Sequence, residues 1–195
     1  MKLGDIAQVT LGYAFRGAIK PDKDGNILVL QAKDLVRGIP VTDTDHLTPI
    51  SFDLPGYAGH LKRDDVLLIS RGMKAGAFRS AVFESDATNV IASASIIIIR
   101  VTALDEVLPE YLSHYLNSKD GQVALSEIVS GSYIGALPRR ELEKIKVPVP
   151  NINKQKAIVD LYRNMQEQQK ILDRKNELKQ QIIEATFTNI TKQHD

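Results

Sequence analysis

The stretch from Pro148 to Asn153 constrains the fold more than any other, because it separates two segments of different character. Pro148 and Pro150 bias the preceding residues toward extended backbone and cannot donate main-chain hydrogen bonds, so this stretch is neither helix nor central strand. The residues before it mix strand-like and helix-like patterns, whereas those after it follow a single pattern. The sequence therefore predicts a globular domain over residues 1–150 and a long spacer helix with a short tail over residues 151–195.

The segment after the prolines predicts one continuous helix. Asn153 or Asn151 offers a side-chain oxygen to cap its first turn, and no Gly or Pro occurs from Lys154 to about Phe187. Apolar residues recur at helical spacing between charged ones. The expected apolar stripe consists of Ile158, Leu161, Tyr162, Met165, Leu172, Leu178, Ile182 and Ile183, with Ile171 beside it.

A helix of this length is longer than a small domain is wide, so its stripe needs a partner. We expect two copies of the chain to pair through an antiparallel coiled coil, forming a homodimer. Polar residues that interrupt the stripe, such as Gln169 and Asn176, lower the stability of a helix pair but fix its register. A solvated appendage and a helix folded back on its own domain are the alternatives.

Composition narrows the class of protein. The chain has no cysteine, which excludes disulfides and thiolate metal sites. The N-terminus lacks the apolar core of a signal peptide, and the apolar run Ile96–Ile99 is too short to cross a bilayer. We therefore expect a cytoplasmic protein.

The charge of the chain limits how it can bind nucleic acid. The formal net charge is +1, whereas a protein that binds duplex DNA tightly by itself is usually clearly basic. The basic residues are instead local, since Arg71, Lys74 and Arg79 fall in a stretch from Val66 to Phe83 that contains no acid. This pattern favours one module of a larger assembly over an autonomous DNA-binding protein.

The pattern along the first 150 residues predicts an α+β domain. Ile27–Gln31, Asp65–Ser70, Ala81–Phe83 and Ile91–Val101 have the composition of strands, the last as one continuous strand. Leu108–Leu116 and Gly121–Val129 have the spacing of amphipathic helices, and Pro138 is expected in the first turn of a short helix over Arg139–Glu143.

Signatures of enzymes are missing from the sequence. It contains no dinucleotide-binding or phosphate-binding glycine motif and no Pro-Pro loop of the adenine methyltransferase type. The four histidines are scattered, so no metal site is expected. Asp64 and Asp65 fit an acidic turn before a strand better than a nuclease centre, because no Glu-x-Lys partner follows. We expect no catalytic residue, no metal and no cofactor.

Several runs of residues resemble one family. Leu3–Ala7, Gln31–Leu35 and Asp65–Gly72 resemble its opening, its Q-x-K-D-I segment and its G-D-(I/V)-L-x-S-R-x-G strand. The stretch from Gly131 through Pro150 to Val159 resembles its junction between recognition domain and helix. On these residues the chain is similar to the specificity subunits of type I restriction–modification systems. Asp64 departs from the usual Gly of the family, and Lys154 departs from a common Glu.

The resemblance implies a DNA-recognition subunit that selects a two-part target for adenine methylation or cleavage by other subunits. Its partners are then double-stranded DNA, methyltransferase subunits, which bind the S-adenosylmethionine, and restriction subunits. A full-length subunit of this family carries two recognition domains and two helices, so the chain resembles half of one. The alternatives are a non-catalytic adaptor that uses the helix as a scaffold, and a specificity fragment of a fused methyltransferase or nuclease.

The residue types single out a set of DNA-contacting candidates. Arg can pair with guanine and Gln with adenine, while Lys more often holds phosphate. Gln31 and Lys33 are expected to alternate along a strand edge, and the alternative to DNA contact for them is that they close a turn. The alternative for the other candidates is that they lie on a solvated or structural loop. The candidates are Arg16, Gln31, Lys33, Arg71, Lys74, Arg79 and Tyr133.

Overall fold

The computed structural model describes residues 1–52, 59–71, 78–129 and 136–192, with the side chains of the last helix described through residue 188. Within these ranges the protein is α+β, as predicted. The strands are β1 (Ala7–Leu11), β2 (Ile27–Leu30), β3 (Thr48–Ile50), β4 (Asp65–Ile69), β5 (Ser80–Phe83), β6 (Val90–Ala92) and β7 (Ile96–Val101). The helices are α1 (Leu3–Ile6), α2 (Pro109–Asn117), α3 (Lys119–Val129), α4 (Arg139–Leu142) and α5 (Ile152–Lys192).

Two sheets form the centre of the domain. One is antiparallel, with strand order β1-β7-β4-β5, and the other has the order β3-β2-β6, in which β2 pairs antiparallel with β3 and parallel with β6. Every residue of β4 and β5 is buried, because one face of their sheet packs on the smaller sheet and helix α2 packs on both strands. Burial on both faces explains why these strands are apolar without alternation.

The predicted helix boundaries mostly agree with the structure. Helix α2 has Pro109 at its first position, where the missing N–H leaves no hydrogen bond unmade. Helix α4 follows Pro138, which lies just before its first turn. Helix α5 is capped by Asn151 rather than Asn153, since the Lys154 amide donates to Asn151 Oδ1 over 3.0 Å.

The prediction of one strand over Ile91–Val101 is wrong. The segment divides into β6, in the three-stranded sheet, and β7, in the four-stranded sheet. The turn from Ser93 to Ser95 separates them. The Ser93 amide donates to Leu30 O over 2.9 Å, so β6 stays paired with β2 up to this turn. A contact with β2, which is far away in the sequence, therefore holds the end of β6 in the smaller sheet.

The chain separates into two compact units, Met1–Lys156 and Ala157–Asp195. Helix α5 contains 41 residues, which at ~1.5 Å per residue makes it about 60 Å long. Its first turn belongs to the first unit and is held there by the buried Gln155. The Gln155 Oε1 accepts from the Leu108 amide over 2.9 Å, and its Nε2 donates to Glu106 O over 2.6 Å and to Pro150 O over 2.7 Å.

Asp64 has the left-handed backbone that explains why the resembled family usually has Gly there. Its φ is 70°, a region in which Asp is tolerated but Gly is unstrained. We expect Asp64→Gly to raise the unfolding free energy by about 0.5–1 kcal/mol and Asp64→Ala to lower it by about 1 kcal/mol. Denaturant melts of the three proteins test this, and an alanine variant as stable as the glycine variant would contradict it.

Candidate functional site

Strand ends from both sheets meet at one end of the domain, which we call the loop edge. In the large sheet Leu11 pairs with Ile97 and Ile69 with Ile96, so β1 and β4 end where β7 begins. Strand β5 also begins there, because Ser80 pairs with Leu68. The smaller sheet reaches the same place, since the Gly12 and Tyr13 amides donate to the carbonyls of Ile96 and Ala92, at the start of β7 and the end of β6.

The turn Ser93–Ser95 lies at the centre of the loop edge. The Ser93 amide donates to Leu30 O at the end of β2 over 2.9 Å, the Ala94 amide to Tyr13 O over 2.9 Å, and the Ser95 carbonyl accepts from the Ser70 amide over 2.8 Å. The turn therefore joins the segments that follow β1, β2 and β4. Its signal in the sequence is a pair of serines inside an apolar run, and reading the run as one strand overlooked it.

Arg71 follows β4 at the loop edge. Its side chain is exposed, and its backbone pairs with Ala136, next to the hydrogen bond of 2.8 Å from the Leu137 amide to Ser70 O. Arg71 and Ala136, which are distant in sequence, therefore lie side by side. Lys74 and Tyr133 fall in the sequence segments 72–77 and 130–135 and lie outside the described residues.

Arg79 is half-buried, and part of its guanidinium is used within the fold. Its Nη2 donates to Ala32 O over 3.1 Å, which connects the start of β5 to the segment after β2. This bond also places Gln31 and Lys33 beside the loop edge. The interpretation that Gln31 and Lys33 alternate along a strand is wrong, since β2 ends at Leu30.

A short 3₁₀ turn over Ala32–Asp34 replaces the expected strand edge. It forms because the Asp34 carboxylate accepts from the Gln31 amide over 2.9 Å, while the Asp34 amide donates to Gln31 O over 3.0 Å. Gln31 Nε2 donates to Thr48 Oγ1 over 2.9 Å, so this side chain helps hold strand β3. Lys33 is exposed on the turn.

Side chains that the sequence analysis did not single out fix the residues before β5. Phe78 O accepts from Arg37 Nη2 over 2.8 Å and from Gln122 Nε2 over 2.9 Å. The Asn117 side-chain amide pairs with the backbone of Ser80 in both directions, at 2.8 and 2.9 Å. These contacts fix the backbone of residues 78–80.

Arg16 lies in the segment that follows β1, three residues after Tyr13. It is exposed, and the neighbouring Tyr13 and Phe15 are half-buried against Phe52, with ring centroids 4.9 to 5.8 Å apart in edge-to-face arrangements. Because Tyr13 and Ser70 both bond to the Ser93–Ser95 turn, the segments that carry Arg16 and Arg71 both start from this turn although they are distant in sequence.

Acids and bases are mixed at the end of the domain opposite the loop edge, where β4 begins and β5 finishes. The acids there are Asp64, Asp65, Glu84 and Asp86, and the bases are Lys62, Arg63 and Arg100. Asp65 is fully buried and holds Arg100 through bonds of 2.7 and 2.6 Å, which raises the pKa of Arg100 against the opposing effect of burial.

The predicted apolar stripe of α5 is exposed in the single chain. Ile158 is half-buried, and the other predicted positions expose between 38 and 66% of their surface: Leu161, Tyr162, Met165, Leu172, Leu178, Ile182 and Ile183. They do not form one line. At about 100° per residue, Leu172 and Ile183 share one face of the helix, and Leu178 and Ile182 share another together with Ile171.

Within the ranges that the structure describes, no group of three or more His, Asp or Glu side chains is placed to hold a metal ion. In the same ranges, no helix combines the length and the apolar character needed to span a membrane.

Comparison with known families gives a match over most of the chain. The sequence model of the family described as type I restriction modification DNA specificity domain matches residues 1–186. A search of curated protein sequences found no significant match.

Comparison with solved structures gives the same architecture. A chain from a structure described as showing complex assembly and conformational transition of a type I restriction–modification system superposes with a TM-score of 0.56 and 19% identity, covering 89% of this chain and 39% of that one. The HsdS subunit from Thermoanaerobacter tengcongensis gives 0.55 and 19%, covering 89% and 38%. The specificity subunit from M. genitalium gives 0.53 and 14%, covering 83% and 37%. The chain thus spans about two-fifths of the length of these solved structures.

Proposed function

Because the chain belongs to the family of type I restriction–modification DNA specificity domains, we propose that it selects the DNA sequence on which partner subunits act. The observation that carries the proposal is the convergence at the loop edge. Arg16, Lys33 and Arg71 come from distant parts of the sequence, are exposed, and follow the three segments that the Ser93–Ser95 turn joins. Side chains that project from a rigid scaffold can reach the edges of bases in a groove.

We assign recognition and spacing to different parts of the chain. The domain reads one short half-site through Arg16, Gln31, Lys33, Arg71, Lys74, Arg79 and Tyr133. Helix α5 sets the distance to a second half-site by pairing antiparallel with α5 of another copy. Such a pair has two-fold symmetry, so the target is a palindrome divided by a spacer whose bases are not read.

The partners follow from what the chain lacks in its sequence. It has no Pro-Pro loop of the adenine methyltransferase type and no Glu-x-Lys partner of a nuclease centre, so we assign the cofactor and the methyl transfer to methyltransferase subunits, and cleavage to restriction subunits. The net charge of +1 neutralises few phosphates, so the isolated chain binds DNA weakly and loses affinity steeply with salt. The methyltransferase subunits provide the missing phosphate contacts.

The exposed Arg71 provides the test of this function. We expect Arg71→Ala to cost ~1–3 kcal/mol at one base position if Arg71 pairs with a base, because a bidentate contact is lost. The measurement is the methylation motif, read by methylome sequencing of cells that express the chain with a methyltransferase subunit.

Lys62→Ala is the matched control, since it removes one exposed cation at the opposite end of β4. It should leave the motif unchanged. If substitutions of Arg16, Lys33 and Arg71 all leave both the motif and the extent of methylation unchanged, the loop edge does not read DNA and the proposal is wrong.

A further inference from the structure

An aromatic cleft opens between the segment that follows β1 and residues 50–52, where β3 ends and β2 begins. Its volume is about 590 Å³, within the range of small-molecule sites. The floor is aromatic and aliphatic, formed by Tyr13, Phe15, Ile19, Ile50 and Phe52. Apart from its relation to Arg16, nothing in the proposed function uses this cleft.

The floor is held rigidly by the core beneath it. Tyr13, Phe15, Ile19 and Phe52 are half-buried on a small apolar cluster made of residues from β2, β3 and β6. The backbone at Gly12 approaches the Ser93–Ser95 turn so closely that a Cβ atom there would overlap Ser93 O. The rings are therefore positioned before any ligand arrives, which limits the entropy lost on binding.

The rim of the cleft is cationic. Arg16 and Lys20 line it and are exposed, and among the lining residues that the structure describes none is acidic. The Asp22 carboxylate contacts one lining residue: it accepts from Ser51 Oγ over 2.6 Å and also from the Asp24 amide over 3.2 Å. These bonds lower the pKa of Asp22, chiefly through Ser51, and use part of its accepting capacity.

We propose that this cleft binds one unpaired nucleotide of a DNA strand. The base packs against the Phe15 and Phe52 rings, and Arg16 and Lys20 hold the adjoining phosphates. Aromatic side chains bind bases through their π-faces, which neighbouring bases cover inside an intact duplex. A site of this kind therefore takes a base that has left the stack, and the phosphates set its charge.

This inference rests on the proposed function, because it makes the cleft a second DNA contact in addition to the loop edge. The two contacts differ in what they recognise. The loop edge reads paired bases in a groove, whereas the cleft holds an unpaired nucleotide. A free nucleotide has the same chemistry, so the test distinguishes the two sources.

The experiment measures binding of the full-length chain to two labelled duplexes at low salt by fluorescence anisotropy. The duplexes are identical except that one carries a single unpaired nucleotide. We expect the bulged duplex to bind about tenfold more tightly. Phe52→Leu and Lys20→Gln should each remove most of this preference and change the affinity for the paired duplex less than twofold. Leu replaces the ring by an apolar side chain, and thermal melts confirm that the variants fold.

Lys62→Gln is the control for charge, since it removes one exposed cation at the other end of the domain. It should leave the preference intact. Equal affinity of the wild-type chain for the two duplexes overturns the proposal, as does a preference that survives both cleft substitutions. Competition by micromolar adenosine monophosphate would show a site for free nucleotides and would also overturn it. Each of these three outcomes leaves the proposed function standing if Arg71→Ala still alters the methylation motif.

Discussion

Asp65→Ala is expected to lower the unfolding free energy of the domain by about 3 kcal/mol, the low end of the cost of breaking a buried ion pair. The Asp65 side chain is 1% exposed and binds Arg100 in a bidentate manner. It also accepts from the Lys62 amide over 2.8 Å, which closes the turn before β4. Alanine leaves both donors without this acceptor. The value is at the low end because the Arg100 side chain is 32% exposed, so water can solvate its guanidinium in the variant.

Asp86→Ala is the matched control for this prediction. Asp86 pairs with Arg63 over 3.0 Å, but their side chains are 87% and 53% exposed. An exposed pair contributes little, so this variant should lose much less stability than Asp65→Ala. Denaturant melts of both variants supply the comparison. Equal losses would show that burial of Asp65 does not set the strength of its pair with Arg100.

The parts of the fold that local chemistry determines could be predicted from the sequence. Pro109 begins α2, and Asn151, one of the two residues considered, caps α5, because proline and asparagine act on their own neighbours. The strands over Asp65–Ser70 and Ala81–Phe83 were located within one residue, since strands buried on both faces form short apolar runs.

The parts that distant contacts determine could not be predicted in this way. Within Ile91–Val101, periodicity gives no sign that the chain changes sheets, because residues on both sides of the turn are buried. The turn depends on hydrogen bonds to Leu30, Tyr13 and Ser70, which the sequence does not place nearby. The 3₁₀ turn after β2 had a local signal in Asp34, whose carboxylate reaches back to the Gln31 amide.

The candidate site also combines residues that local chemistry identifies with contacts that only the fold creates. Residue chemistry selects Arg16 and Arg71 as cations on glycine-flanked segments, but their convergence on one turn comes from strand topology. Arg79 has the same chemistry, yet it donates to Ala32 O. Gln155 is the clearest case, because a glutamine at the start of a polar helix gives no sign that it is fully buried and makes three hydrogen bonds. Whether a polar side chain binds a ligand or its own backbone depends on what the fold brings near it.

The other large effect is expected from helix α5, whose exposed apolar residues we propose to form the homodimer. Leu172 and Ile183 are 50% and 66% exposed and lie on one face of the helix, about three turns apart. We expect Leu172→Asp with Ile183→Asp to convert a dimer into monomers, because pairing would bury two charges from each chain without partners. Light scattering at tens of micromolar protein reports the change as a halving of the mass.

The two apolar faces of α5 make this prediction specific. Leu178→Asp with Ile182→Asp places the same charges on the second face, so comparing the two variants identifies the face that pairs. Gln166→Asp with Gln181→Asp adds equal charge on the side away from both faces and should remain dimeric. A wild-type chain that is monomeric at tens of micromolar would contradict the proposed pairing. So would two dimeric face variants, since a seam that accepts unpaired aspartates on either face is not an apolar one.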